Sequence, residues 1–197
     1  IPMSCVATVC DGMCKDYIEL HGPDSMIPQR KEPLTNVIIH AGFKMFVDGV
    51  KVGRRIVSMA SPAWASLQAM YHTLAQTGFR KGEVSLAPGV TWSQKEISFA
   101  NLTWFIDGKV YPELTEALYI IMVARGGYAL LRPPPSKCDP LGLHWGPCTI
   151  YLRFSLTADI CAARALAHLE RVRKIKLHNR RLSPLFTNFN GSAWRHS

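Results

Sequence analysis

The segment 149–156, TIYLRFSL, has the clearest strand pattern in the chain. Ile150, Leu152, Phe154 and Leu156 share one face of a strand, because successive side chains point to opposite sides of a sheet. A strand with one apolar face needs a second layer of structure to cover that face. This constraint favours a sheet with helices packed on one side.

Residues 61–78, SPAWASLQAMYHTLAQTG, predict a helix with both ends marked. Ser61 suits the N-cap, Pro62 the first helical position and Gly78 the C-cap. Five large apolar residues recur at helical spacing and predict the side that faces the core: Trp64, Leu67, Met70, Tyr71 and Leu74.

Two more helices are predicted, one of them in YPELTEALYIIMVARGG, residues 111–127. Pro112 is expected in its first turn, and Glu113 and Glu116 near its positive end. Because its middle is apolar nearly all round, we expect this helix to be buried.

The other helix, ICAARALAHLERVR, is expected to be capped by Asp159. Its predicted apolar face consists of Ile160, Ala163, Leu166, Ala167 and Leu169. We expect the helix to lose its packing near Glu170, since Arg173 falls on the apolar side.

Strands are predicted near residues 37–47 and 50–57 and within 83–110. Asp48-Gly49 and Asp107-Gly108 are strong signals for two-residue hairpin turns. The prolines in RPPPSKCDPLG predict a loop, because proline fits neither a helix interior nor a central strand. Together these patterns predict an α+β fold, in which an antiparallel β-sheet is packed by about three α-helices.

The predicted domain organisation has three parts. Residues 1–36 are broken by Gly and Pro and form an extended, irregular N-terminal arm, and residues 37–170 form the α+β core domain. Residues 171–197 form a basic C-terminal tail, whose removal we expect to leave the fold intact. The chain has neither an initiator Met nor an apolar signal sequence, so we expect it to begin inside a longer protein.

The formal net charge is +9, and the tail carries seven basic residues and no acidic ones. Concentrated positive charge favours a polyanionic partner, such as nucleic acid or an anionic membrane; the alternative is a solvated tail that aids solubility. A smaller cluster precedes the first marked helix. The predicted polyanion-binding residues are Arg171, Arg173, Lys174, Lys176, Arg180, Arg181 and Arg195 in the tail, with Lys51, Arg54 and Arg55 in the smaller cluster.

Three aromatic residues, Phe186, Phe189 and Trp194, accompany the charges of the tail. Such rings can sit at a membrane interface, dock on a neighbouring subunit or stack on bases. We therefore predict them as membrane or partner anchors.

No catalytic signature is present: the chain lacks the GxSxG, Walker, GxGxxG and HExxH patterns. Zinc could be considered at Cys138, His144 and Cys148, or at Cys5, Cys10, Cys14 and His21, but neither spacing matches a standard zinc site. Free thiols in a reducing, intracellular compartment are the simpler interpretation. We expect no enzyme activity, no cofactor, no metal and no small-molecule substrate.

The stretch GLHWGPCTIYLRFSLTAD resembles the late part of rhabdovirus matrix proteins, in which a turn leads to a strand and an acidic residue precedes a closing helix. The matching positions are Gly142, Leu143, Gly146, Thr149, Ile150, Leu152 and Asp159. FKMFVDGVKVGRRIVS and the helix that follows it more loosely resemble the start of that core. The resemblance implies a small, non-enzymatic, self-associating virion protein that bridges a ribonucleoprotein to an anionic membrane.

These observations predict a non-enzymatic structural or assembly protein that self-associates and bridges polyanionic partners. Its partners would be further copies of itself, nucleic acid or a nucleocapsid, and an anionic membrane surface, and it would be intracellular and peripheral to membranes. An RNA-binding structural component of a ribonucleoprotein complex is the alternative. An enzyme with an unrecognised site is a third hypothesis.

Overall fold

The computed structural model describes residues 50–52, 55–57, 60–134, 141, 143, 148–188 and 190–195. All of these residues belong to one compact unit. The predicted arm, the predicted strand at 37–47 and the Asp48-Gly49 turn lie outside the described residues, as does most of the proline-rich loop.

Two short strands come first, β1 (Val50–Val52) and β2 (Arg55–Val57). They pair antiparallel, with Val50 opposite Val57. The prediction of a single strand across 50–57 is therefore wrong, because the two halves of this segment pair with each other.

The main sheet is antiparallel and has four strands: β3 (Leu102–Ile106), β4 (Lys109–Tyr111), β5 (Tyr128–Leu131) and β6 (Ile150–Arg153). Their order across the sheet is β4-β3-β5-β6. Asp107 and Gly108 join β3 to β4 with φ angles of 53° and 78°, as the Asp-Gly signal predicts. The mixed α+β class is therefore confirmed.

The segment before the sheet differs from its prediction as a strand. Residues Lys81–Val84 form a one-turn helix, α2, and Leu86 makes an isolated parallel bridge to Arg195. A short 3₁₀-helix, Phe99–Asn101, leads directly into β3. Single bridges at Leu86 and Ser98 thus replace the extended pairing that the sequence predicts here.

Helix α1 spans Pro62–Thr77, and Gly78 ends it in the left-handed conformation with a φ of 69°. Both ends agree with the sequence, but the buried side does not. The predicted large residues are half-buried, whereas the buried side consists of Ala63, Ala65, Ser66, Ala69, His72 and Thr73. Small residues face inward because α1 packs along another helix, and small side chains let two helices approach closely.

Helix α3 spans Glu116–Arg125, and the Thr115 hydroxyl accepts a hydrogen bond from the backbone N–H of Leu118 at its start. Pro112 and Glu113 therefore precede the helix instead of forming its first turn. The prediction of a buried helix is wrong: Met122 is its one fully buried residue, and Ile120 is 62% exposed. The helix packs on β3, and Ile120 and Val123 on its other side are exposed.

Helix α4 spans Ala162–Arg173 and packs on α1, β5 and β6. Cys161, and not Asp159, is its N-cap, and the sulfur accepts from the backbone N–H of Arg164. The inner face of the sheet, including Trp104 and Leu131, and the apolar face of α4, including Leu166, form one continuous core. The boundary predicted at residue 170 falls inside this helix.

Candidate functional site: the basic segment

The residues after α4 are joined to the core by a buried ion pair between Arg180 and Glu170. The two side chains are 3% and 4% exposed. Glu170 also accepts hydrogen bonds from Trp104 Nε1 and the backbone N–H of Leu114, both at 2.8 Å, and Arg180 Nη2 donates to the carbonyl of Leu102 at 2.9 Å. A guanidinium enclosed in this way cannot bind an external polyanion, so the prediction for Arg180 is wrong.

The end of the described chain also packs into the core. Leu185 and Phe186 are buried, and the backbone N–H of Leu185 donates to the carbonyl of Ile97 at 3.2 Å. The prediction of Phe186 as an anchor is therefore wrong. Trp194 is half-buried, and its backbone carbonyl accepts from Leu86 N–H at 2.8 Å. Phe189 lies outside the described residues.

Arg171 and Arg173 are both engaged within the protein. Arg171 makes two hydrogen bonds of 2.9 Å to the carboxylate of Glu116, and its guanidinium lies 4.1 Å from the centre of the Tyr119 ring. Arg173 donates to the hydroxyl of Thr187, and burial lowers the pKa of its guanidinium. Both guanidinium groups are therefore occupied by contacts within the protein, contrary to their predicted role in binding a polyanion.

Four of the predicted cations remain open: Lys174, Lys176, Arg181 and Arg195. Within the described part of the chain, none of them takes part in an ion pair. Three of them lie in residues 174–182, hereafter the basic segment, which also exposes two leucines. Leu177 is 54% exposed and Leu182 is 57% exposed.

The basic segment has a defined backbone. Lys174 ends α4 in the left-handed conformation, and its N–H donates to the carbonyl of Glu170 at 2.8 Å. Residues Leu177–Leu182 then form a 3₁₀-helix, and Arg180 fastens this helix to the core from its buried side. The lysines, Arg181 and the leucines are therefore presented on a fixed scaffold and not on a loose tail.

The surroundings of the basic segment are mixed in charge. Lys174 and Lys176 line a groove together with Glu113 and Glu116. Glu116 is neutralised by Arg171, which leaves Glu113 as the acidic side chain in the groove without an ion pair in the described structure. The two lysines and Arg181 thus outnumber the unpaired acid beside them.

The second predicted cluster cannot be assigned to this site. Only the backbone is described at Lys51 and Arg55, which lie in β1 and β2, and Arg54 lies outside the described residues. Of the cysteines and histidines considered for zinc, the structure describes Cys148 alone, and it is exposed. The described ranges contain neither a group of three potential metal ligands nor a helix that is long and apolar enough to cross a membrane.

Leu177 and Leu182 are the residues of this site that the sequence analysis missed. They stand among cations without a helical or strand period, so the pattern does not show which way they face. Their position becomes evident only when Arg180, between them, is seen to turn inward.

Comparison with known proteins assigns no family to the chain. No protein-family model, no curated protein and no solved structure matches it. The resemblance to rhabdovirus matrix proteins stays a prediction.

Proposed function

We propose that this is a non-enzymatic structural protein that self-associates and attaches peripherally to an anionic membrane through its basic segment. The observation that carries the proposal is the combination of exposed Lys174, Lys176 and Arg181 with exposed Leu177 and Leu182 on one fixed segment. Cations attract anionic lipid headgroups, and aliphatic side chains enter the boundary between headgroups and acyl chains.

The expected strength suits reversible attachment. Each Lys or Arg near an anionic membrane surface contributes about 1 kcal/mol, so the three open cations contribute roughly 3 kcal/mol. The two leucines add a contribution that depends on how deeply they enter the lipid. No covalent anchor is required by this mechanism.

The exposed side chains of this segment favour a membrane over RNA as its partner. Base stacking needs accessible rings; Phe186 is buried and Trp194 is half-buried, so the imidazole of His178 is the exposed ring that the basic segment offers. Leucine offers no ring for stacking and gains free energy by leaving water for lipid. The segment therefore matches a lipid surface better than a nucleic acid.

Self-association is supported by the uncovered side of α3. Ile120 and Val123 are exposed there, close to the exposed Ala117 and Ala124. Apolar patches on a protein surface commonly mark interaction sites. A structural protein that binds membranes through several copies would also gain avidity from each additional contact.

We expect K174Q/K176Q to weaken binding to vesicles that contain phosphatidylserine. Loss of about 2 kcal/mol corresponds to a roughly 30-fold lower partition coefficient, measured at about 0.1 M salt. Co-sedimentation across a range of lipid concentrations measures this change, with phosphatidylcholine vesicles as the neutral comparison. The wild-type protein should bind the anionic vesicles and should release them as salt increases.

The matched control is K95Q/K109Q, which removes the same charge from two exposed lysines elsewhere on the surface. This variant should bind within about twofold of the wild type, since screening limits the reach of surface charges to about 10 Å at 0.1 M salt. Equal losses in both variants would indicate a non-specific effect of net charge and would contradict the proposal.

The variant L177S/L182S is expected to weaken the same vesicle binding without lowering the melting temperature. Both leucines are more than half exposed, so their loss costs the folded protein little. The affinity that remains should fall with salt by the same factor as that of the wild type, because the three cations are unchanged. Unchanged vesicle binding would show that the leucines do not enter the lipid.

A further inference from the structure

The outer face of the main sheet, opposite α4, carries a group of aromatic rings that the proposed function does not use. Strand alternation and register place side chains from all four strands there: Thr103, Phe105, Val110, Tyr128, Leu130, Tyr151 and Arg153. Val110, Phe105, Tyr128 and Arg153 form one row across the sheet, and Thr103, Leu130 and Tyr151 form the next.

The rings lie side by side on neighbouring strands. The ring centres of Phe105 and Tyr128 are 6.3 Å apart, as are those of Tyr128 and Tyr151. Contacts of this kind hold the rings in place. Leu130 is buried and Phe105 and Tyr128 are half-buried, whereas Tyr151 is 64% exposed, so Tyr151 is the ring of this group that solvent can reach.

The charge of this face is positive. Arg153 is exposed next to Tyr151, and Arg132 is exposed just after the end of β5. None of the side chains named on this face is acidic, and neither arginine makes an ion pair within the described part of the chain. A partner therefore has to offer negative charge together with flat surfaces that can cover the rings.

We propose that this face binds single-stranded nucleic acid, with a base stacked on Tyr151 and a phosphate near Arg153. Aromatic side chains on the face of a sheet, together with cations that follow the backbone, are a common arrangement for single-stranded RNA. A second copy of this chain is a poorer occupant, because a two-fold contact of this face with itself brings like-charged arginines together.

This inference goes beyond the proposed function and uses a different surface. The basic segment follows α4, which covers the inner face of the sheet, whereas the rings lie on the outer face. Loss of one binding activity should therefore leave the other intact.

The test is the affinity for a fluorescein-labelled uridine oligomer of about 12 nucleotides, a length within the usual site size of a stacking surface. Fluorescence anisotropy at fixed salt should show that Y151A binds about 5- to 150-fold more weakly than the wild type, the range that corresponds to one lost base stack. Y151F keeps the ring and should bind within about twofold of the wild type. Arg153→Gln should reduce the slope of log affinity against log salt concentration by the amount that corresponds to about one phosphate contact.

Two further measurements make the result decisive. Y151A should sediment with anionic vesicles like the wild type. Adding Y151A to K174Q/K176Q should lower the RNA affinity by nearly the same factor as adding Y151A to the wild type. Absence of oligomer binding by the wild type, or equal affinities of Y151A and Y151F, would overturn the inference. RNA binding that depends on the two lysines and not on Tyr151 would overturn it as well, and would assign the RNA to the basic segment.

Discussion

Replacing Arg180 with methionine is expected to lower the free energy of unfolding by about 3–5 kcal/mol, because it leaves the carboxylate of Glu170 buried without its counter-charge. Methionine keeps much of the apolar length of the arginine side chain, so the lost volume is small. Urea unfolding followed by far-ultraviolet circular dichroism measures the change. A loss below about 1 kcal/mol, the value of an exposed ion pair, would contradict the buried pair.

The double variant E170Q/R180M separates the buried charge from the other contacts. It removes both charges, while the glutamine oxygen can still accept a hydrogen bond from Trp104 Nε1 or the backbone N–H of Leu114. We expect it to be more stable than R180M alone, because replacing both partners of a buried ion pair costs less than removing one. The free energy of unfolding of the double variant could instead be lower than that of R180M by the full amount that E170Q costs alone. That result would show that the two residues act independently.

Replacing Phe186 with alanine is expected to cost about 3–5 kcal/mol, the usual range for removing a buried aromatic side chain from a core. Thermal unfolding should show a lower melting temperature, and urea unfolding should show a lower midpoint with an unchanged slope. The control is Leu182→Ala, four residues earlier, which replaces an exposed side chain and should change stability by less than about 0.5 kcal/mol. Similar costs at both positions would contradict the burial of Phe186.

The same contacts change the expectation for truncation. The sequence predicts that removal of residues 171–197 leaves the fold intact. In the structure this removal deletes Arg180, Leu185 and Phe186 from the core, and leaves the carboxylate of Glu170 without its partner. Point substitutions in the exposed part of the basic segment are therefore the appropriate way to test membrane binding, since they leave these contacts in place.

Several features of the fold follow from local sequence alone. The limits of α1 are determined by Pro62 and Gly78, whose backbone preferences act within a few residues. The turn between β3 and β4 follows from Asp107-Gly108, which tolerates the positive φ angles that a tight hairpin requires. The strand Ile150–Arg153 agrees with the alternating pattern, although it is shorter than the predicted 149–156 and leaves Leu156 55% exposed.

Features that depend on contacts between distant segments were not predicted. The apolar stripe of α1 predicts the side that faces the core, but the close approach of α1 to α4 favours the alanine side instead. The apolar sequence of α3 predicts burial, but no described element covers its outer side, where Ile120 is exposed. A helical period shows which side chains share a face and does not show how much of that face a neighbour covers.

The α+β class, the ends of α1 and the concentration of positive charge near the C-terminal end of the chain can all be derived from the order of the residues. Which of those charges are accessible depends on how the chain packs. Arg180 and Lys176 look equivalent in the sequence, yet one is enclosed with Glu170 and the other faces solvent. The difference arises because pairing a buried cation requires an acid brought close by folding, and sequence order gives no direct measure of that distance.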